Sequence, residues 1–245
     1  MIKGIIFDLN GTLIDILTDE WSEDVYRTTA GFLGYSGVFV SPDELRESYF
    51  SLNREQRRRS LECFPEFDVV KIFHDIILKK ISITENEAGR LAVAASQVYR
   101  AASLRRLQLY PGVKEVLDTL KMHFKLAAVS DGQSAWALPE LRMAGLGEYF
   151  SQVTVSGDWG FRKPDKRMFE LALSELELLP SETILVGNDI FRDIYGGNAV
   201  GMKTVFFRSN QGDWENKQGK PDYVIYNFNE LPGAINFLSD STAVS

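Results

Sequence analysis

The chain has 245 residues, 44% of them hydrophobic and 25% charged, with a formal net charge of −7. These values fit one large or two moderate soluble domains with ample core, and the acidic balance disfavours nucleic acid as a partner. A single cysteine, Cys63, excludes an internal disulfide and a cysteine-built zinc cage.

The first expected element is a short buried strand, Gly4–Phe7, which carries Asp8 to its end with Gly11 and Thr12 in a tight turn behind it. The apolar start is too short and too soon polar for a signal peptide. No later run approaches the roughly 20 residues that span a bilayer, so the reading is cytoplasmic, with no membrane partner. From Asp15 to Leu109 the periodicity is helical, over Glu20–Leu33, Asp43–Leu52, Arg54–Cys63, Val69–Lys79 and Glu85–Leu104. An all-helical insertion placed there sits over the end of the first strand and can act as a lid. Tyr110-Pro111-Gly112 marks the return to the sheet.

Beyond it, apolar runs at Leu126–Val129, Val153–Val155, Thr183–Val186, Thr204–Phe206 and Tyr223–Ile225 read as strands. They alternate with helical segments at Val113–Met122, Ala137–Ala144, Lys166–Leu176 and Asp193–Ala199, which is the pattern of a doubly wound parallel α/β sheet. No G-x-G-x-x-G follows the first strand, so a dinucleotide-binding fold is disfavoured. Residues 239–245 read as a frayed tail.

Parallel strands place their following residues on one edge of the sheet, where ligands of such folds bind. Asp8, then Ser130 and Asp131, then Lys163-Pro164, then Gly187-Asn188-Asp189 and Asp193 all follow strands in this sense. A nucleophilic carboxylate, a hydroxyl, an ammonium and an acidic loop are the parts that phosphoryl transfer asks for. Each residue also has an ordinary structural reading: Ser130 as a helix cap, Lys163 as a solvated charge, Asp193 as a helix-dipole partner. His74 and His123 lack nearby cysteine or H-E-x-x-H spacing and read as packing or surface residues. The arginines at 54, 57, 58 and 59 read as a solvated helix face rather than an arm to an anionic substrate.

With these motifs in order, the chain resembles the haloacid dehalogenase-like (HAD) hydrolase superfamily, and the insertion resembles the helical C1 cap of its subfamily I. The resemblance rests on Asp8-x-Asn10-Gly11-Thr12, Ser130, Lys163-Pro164 and Gly187-Asn188-Asp189…Asp193, with Tyr110-Pro111-Gly112-Val113 and Pro221-Asp222-Tyr223-Val224-Ile225 in support. It implies a Rossmann-like core over 1–15 and 106–245 and an all-α cap over 16–105. It also implies Mg²⁺-dependent hydrolysis of a small soluble phosphomonoester through an aspartyl-phosphate, by a monomer or homodimer. Asp8 would be nucleophile and metal ligand, and the backbone carbonyl of Asn10 would complete part of the metal's coordination. Thr12, Ser130 and Asp131 would contact substrate, and Lys163 would neutralise Asp8 and the phosphoryl group. Asp193, with Asn188 or Asp189, would bind or orient Mg²⁺.

Two positions depart from the family pattern. Asn10 stands where the family's phosphatases carry an acid–base Asp, and an amide cannot exchange a proton at neutral pH; lost acid–base help costs about 10²–10⁴ in rate. Asn188 stands where Gly-Asp is usual, leaving either Asn188 or Asp189 as the partner of Asp193. The alternatives are therefore a catalytically weak or inactive binding or regulatory protein, or a 2-haloacid dehalogenase.

Overall fold

Along β1 (Gly4–Phe7) every side chain is buried, and the alternation of the strand sends Ile5 and Phe7 to one side of the sheet and Ile6 to the other. A computed structural model describes residues 1–241. After β1 come β2 (Ile14–Thr18) and four helices, α1 (Glu23–Tyr35), α2 (Pro42–Arg59), α3 (Val69–Leu78) and α4 (Glu85–Ser103). The chain returns through β3 (Leu104–Leu109) and α5 (Val113–Leu120), then alternates through β4 (Lys125–Ser130), α6 (Ser134–Met143), β5 (Gln152–Val155), α7 (Lys166–Leu176) and β6 (Thr183–Gly187). It ends with α8 (Gly196–Val200), β7 (Lys203–Phe207), β8 (Tyr223–Ile225) and α9 (Leu231–Ser241).

Six strands form one parallel sheet in the order β5-β4-β1-β6-β7-β8, so β1 is central, between β4 and β6. Ile5 and Phe7 pack with side chains of α5 and α9, including Val113, Leu117, Ile235 and Leu238. Ile6 packs with Met168, Phe169, Leu173 and Leu176 of α7 on the opposite face. Covering both faces explains why the strands read as unbroken apolar runs. The architecture is the expected α/β Rossmann-like sheet with an inserted helical cap. Among the described residues no helix is long and apolar enough to cross a membrane.

Local sequence sets the helix starts in the insertion. Ser41 accepts from the Glu44 amide at 3.2 Å with Pro42 at the first helical position, and Thr84 with Glu87 forms a capping box. The insertion has its own apolar cluster, built around Tyr26, Tyr49, Phe73 and Tyr99, and that cluster also takes in Trp136 from α6. The Trp136 ring stacks on Tyr99 with centroids 6.2 Å apart, and its indole N–H donates to the Ser96 carbonyl at 2.9 Å. Arg100 of α4 lies over the same indole at 4.9 Å and pairs with Glu140 of α6 at 2.5 Å.

Four expectations need correction. The insertion is not joined to the sheet by helix alone: β2 and β3 pair antiparallel as a two-stranded ribbon. Leu104-Arg-Arg-Leu-Gln-Leu109 has apolar residues at spacings of three and two, so it reads as easily as the last turn of a helix. The two helices expected over 43–63 are one, α2, because Asn53 is only a modest helix breaker and nothing else interrupts the run. The expected helix at Asp193–Ala199 is instead a wide π turn, Ile190–Tyr195, followed by α8. Of the expected frayed tail, positions 239–241 belong to α9, and positions 242–245 lie outside the described residues.

Because Trp136 of α6 is buried inside the insertion's apolar cluster, Trp136→Ala should lower the unfolding free energy by about 3–5 kcal/mol. Denaturant titration checks this; a loss below about 1 kcal/mol would show that the insertion's cluster is complete without it.

Candidate active site

The carboxyl end of β1 is where three loops meet. Asp8 follows Phe7, and its amide donates to the Val186 carbonyl of β6 at 2.9 Å, which keeps it in register with that strand's end. Asp8 is 5% exposed. One oxygen, Oδ1, accepts from the Lys163 ammonium at 2.5 Å, and Oδ2 accepts from the Thr12 hydroxyl at 2.8 Å.

Lys163 comes from the loop between β5 and α7 and is 2% exposed. Its ammonium also donates to Asp193 Oδ1 at 2.7 Å and to the Val129 carbonyl at 3.3 Å, so all three N–H groups are used. Burial works against its charge, but Asp193, Asp8 and Asp131 outweigh it and hold the Lys163 pKa above the ordinary lysine value. Asp193 is raised to about 6 by burial and by the neighbouring Asp8, against the pull of Lys163. Asp193 Oδ2 meanwhile accepts from the amides of Asn188 and Asp189 at 3.1 and 3.0 Å. Asp193 thus ties the turn after β6 to Lys163. A Cβ at Gly187 would lie 2.4 Å from the Asp193 Cβ, which accounts for the glycine.

The two candidate partners of Asp193 do different things. Asn188 Oδ1 lies 3.2 Å from Thr12 Oγ1, the same hydroxyl that reaches Asp8, so the single hydroxyl hydrogen is shared between the two oxygens. A Cβ on Gly11, whose φ is +88°, would sit 2.2 Å from the Asn188 amide nitrogen. Asp189 faces elsewhere. Its carboxylate accepts from the amides of Phe191, Arg192 and Asp213 and from the Arg192 guanidinium, at 2.7 to 3.1 Å. Burial opposes its charge, yet Arg192 and these amides hold its pKa below the usual aspartate value. Asp189 therefore caps the π turn and is not brought together with Asp8.

The remaining expected residues fall into place around this centre. Ser130 is buried and ends β4, one residue beyond the Val129 carbonyl that Lys163 holds. Asp131 Oδ1 accepts from the Lys163 amide at 3.0 Å, so it positions the lysine loop; Oδ2 is buried without a hydrogen-bond partner, and the Arg192 guanidinium stands 3.8 Å away. Burial, opposed by Lys163 and Arg192, raises the Asp131 pKa. Asn10 is half-buried in the turn after β1, where it bridges Ile14. Neither histidine joins the centre: His74 lies 2.9 Å from Glu85 in the insertion, and His123 is exposed. Of the arginine cluster, Arg57 pairs with Glu66 and Arg59 with Glu55, leaving none bonded to Asp8.

Sequence reasoning missed two contributors. Arg192 lies within a motif but carries no signal of its own. The loop at 209–213 closes over Asn188: a Cβ on Gly212 would be 2.2 Å from the Asn188 carbonyl, and Gln211 donates to Asp15 Oδ1 at 2.8 Å at the base of β2. Only coordinates reveal that such distant segments meet.

A sequence model of the family described as haloacid dehalogenase-like hydrolase matches residues 2–201. The chain belongs to this family of hydrolases. It is 28% identical over 242 residues to the glyceraldehyde 3-phosphate phosphatase of Pyrococcus furiosus, covering 97% of this chain and 93% of that protein. To the pyrimidine 5'-nucleotidase of Streptococcus pneumoniae it is 26% identical over 243 residues, covering 94% and 93% of the two chains. A 2-haloacid dehalogenase from Pseudomonas syringae shares the HAD fold, with a TM-score of 0.67 at 24% identity over 96% of this chain and 99% of that one.

Whether a hard cation suits this HAD site follows from its donors. Asp8 Oδ2 and Asn188 Oδ1 both approach Thr12 Oγ1, so two oxygens converge, and an all-oxygen set suits Mg²⁺. The fit is to a lightly charged site, with one carboxylate and one neutral amide. Among the described residues no group of three or more His, Cys, Asp or Glu side chains could hold a metal. Asp193 and Asp189 are spent on Lys163, Arg192 and backbone amides.

Removing the cation between Asp8 and Asp193 tests the centre. Lys163→Met should cost about 3–5 kcal/mol at pH 8 by denaturant titration, because two carboxylates are left buried without their counter-ion. The pair then keeps a proton to higher pH in the folded state than in the unfolded one. A carboxyl raised on folding contributes stability at low pH that is lost as pH rises, so the deficit should shrink at pH 5. An equal deficit at both values would remove Lys163 as the counter-ion.

Proposed function

We propose that the chain hydrolyses a small soluble phosphomonoester, with Asp8 as nucleophile. One observation carries this reading: the Asp8 carboxylate stands at the end of the central strand, held by Lys163 on one oxygen and Thr12 on the other. The names of the phosphatase relatives support a small phosphorylated substrate.

In this mechanism an Asp8 oxygen attacks phosphorus as the bond to the leaving alkoxide breaks, giving an aspartyl-phosphate. Water then attacks phosphorus, the bond to Asp8 breaks, and inorganic phosphate leaves. Lys163 orients Asp8 and offsets its charge against the incoming phosphoryl oxygens. Ser130 offers a hydroxyl donor at the same edge, while Thr12 keeps its hydroxyl on Asp8. Asp8, Asn188 and the Asn10 carbonyl would hold Mg²⁺, which would supply positive charge against the transferring phosphoryl group. The helical insertion excludes water and selects substrate as a cap.

Two protons need a carrier, one to the leaving alkoxide and one from the attacking water. The Asn10 amide carries neither, so solvent has to. The reaction should then depend steeply on the leaving group, with aryl phosphates preferred over alkyl ones.

A second reading, a binding or regulatory protein with little turnover, draws on Asn10 and Asn188 together. Asn10→Asp separates the two. As a phosphatase, the variant should turn over an alkyl phosphomonoester about 10²–10⁴ times faster than the parent chain, and chelation should abolish the gain. Binding of phosphate or Mg²⁺ without turnover in either form favours the second reading. Chelator-insensitive halide release from a 2-haloacid would replace both.

A further inference from the structure

Glu66 is a buried carboxylate that the chemistry above does not use. It lies in the connection between α2 and α3 of the insertion and is 8% exposed. Its Oε2 accepts from the Ser156 hydroxyl at 2.9 Å, across to the sheet domain. Its Oε1 accepts from the Phe67 amide at 3.0 Å and the Arg57 guanidinium at 3.3 Å. Burial raises its pKa even with these donors around it.

Ser156 is the first residue after β5, on the loop that leads to Lys163. Its Oγ accepts in turn from the Gly132 amide at 2.9 Å, and the Gly157 amide donates to the Gly132 carbonyl at 2.8 Å. A Cβ on Gly157 would be 2.7 Å from that carbonyl, so the two loops touch backbone to backbone. Gly132 directly follows Ser130 and Asp131, and Asp131 holds the Lys163 amide. Around Glu66 the backbone is also joined: its amide donates to the Gly160 carbonyl at 2.9 Å, and the Arg162 amide donates to the Phe64 carbonyl at 3.0 Å. Gln133 completes the seam, donating to the Phe67 carbonyl at 2.7 Å and accepting from the Val69 amide at 2.9 Å.

We propose that Glu66 is a positioning residue, through which the docked insertion sets the Ser130–Asp131 loop and the Lys163 loop by way of Ser156 and Gly132. The inference rests on Asp8 and Lys163 being the reactive centre. It makes the insertion part of the machinery that aims Lys163, beyond its role as a cover. Any departure of the segment at 64–69 from the sheet takes the Glu66 acceptor from Ser156, leaving its hydroxyl only the Gly132 carbonyl at 3.3 Å, and loosens both loops together.

The test compares Glu66→Ala, Glu66→Gln, Ser156→Ala and the double variant Glu66→Ala/Ser156→Ala in the whole chain. Amide hydrogen exchange by mass spectrometry is read over residues 130–133 and 156–163, and hydrolysis of an aryl phosphate is followed beside it. Glu66→Ala should speed exchange at both loops while β1 and α1 keep their protection. It should lower kcat by roughly tenfold to a hundredfold with KM little changed, as expected for a misplaced reactive group. Glu66→Gln keeps an acceptor and should recover most of both effects. The double variant should be no worse than the worse single one, because both remove the same link.

Unchanged exchange at the two loops in folded Glu66→Ala overturns the proposal, as does uniform acceleration through β1 and α1, or additive losses in the double variant. If Glu66→Ala does not fold, Ser156→Ala and Glu66→Gln decide by the same exchange criterion. An absence of turnover in the parent chain counts against the phosphatase reading alone, since the exchange measurement needs no catalysis.

Discussion

A lysine ammonium sealed between Asp8 and Asp193 is the constraint from which the rest of the site follows. Burying an ammonium costs several kcal/mol unless its charge and all its N–H groups are satisfied. Here two carboxylates and the Val129 carbonyl do so, and each comes from a different part of the sheet edge. Satisfying Lys163 therefore requires β1, β4 and the turn after β6 to end at the same level. The sheet order that puts β1 between β4 and β6 makes this possible. The interaction that holds the Asp8 carboxylate is also one that fixes the local backbone.

The charge count around Lys163 gives Asn188 a physical meaning. Lys163 and Arg192 face four carboxylates, from Asp8, Asp131, Asp189 and Asp193. An acid at position 188 would add one more negative charge beside Thr12 and Asp8 and would raise the demand for a divalent cation. With an amide there the protein's own cations come closer to balancing the site. Tight packing of Asn188 against Gly11, Gly212 and Thr12 shows that the amide is accommodated in detail.

Most of the sheet was legible in the sequence because strands covered on both faces must be continuously apolar, and Asp8, Ser130, Lys163 and Asn188 could be placed by counting from their ends. The resemblance to the HAD family added the roles expected of these residues. Less legible was anything decided by which side chain faces which. Asn188 and Asp189 are neighbours in sequence, and only the hydrogen bonds of Asp189 to Arg192 and Asp213 separate their uses. Asp131 could be expected to meet substrate, yet one of its oxygens is taken by a backbone amide 32 residues away. The β2–β3 ribbon was hidden because two short half-exposed strands leave no periodicity distinct from helix ends. Glu66 gave no signal at all, since a lone acid between two helices is ordinarily a solvated charge.

The lodging of Trp136 inside the insertion's apolar cluster has a consequence for how this protein can be taken apart. Cutting at the connecting ribbon follows the chain, but the packing seam runs elsewhere, behind the first turns of α6. An excised helical unit would keep a hole where the indole belongs, and a trimmed sheet would present that indole and the Glu140 carboxylate to water. Grafting this cap onto a related scaffold would thus require placing a tryptophan and a glutamate on the recipient's own helix to receive it.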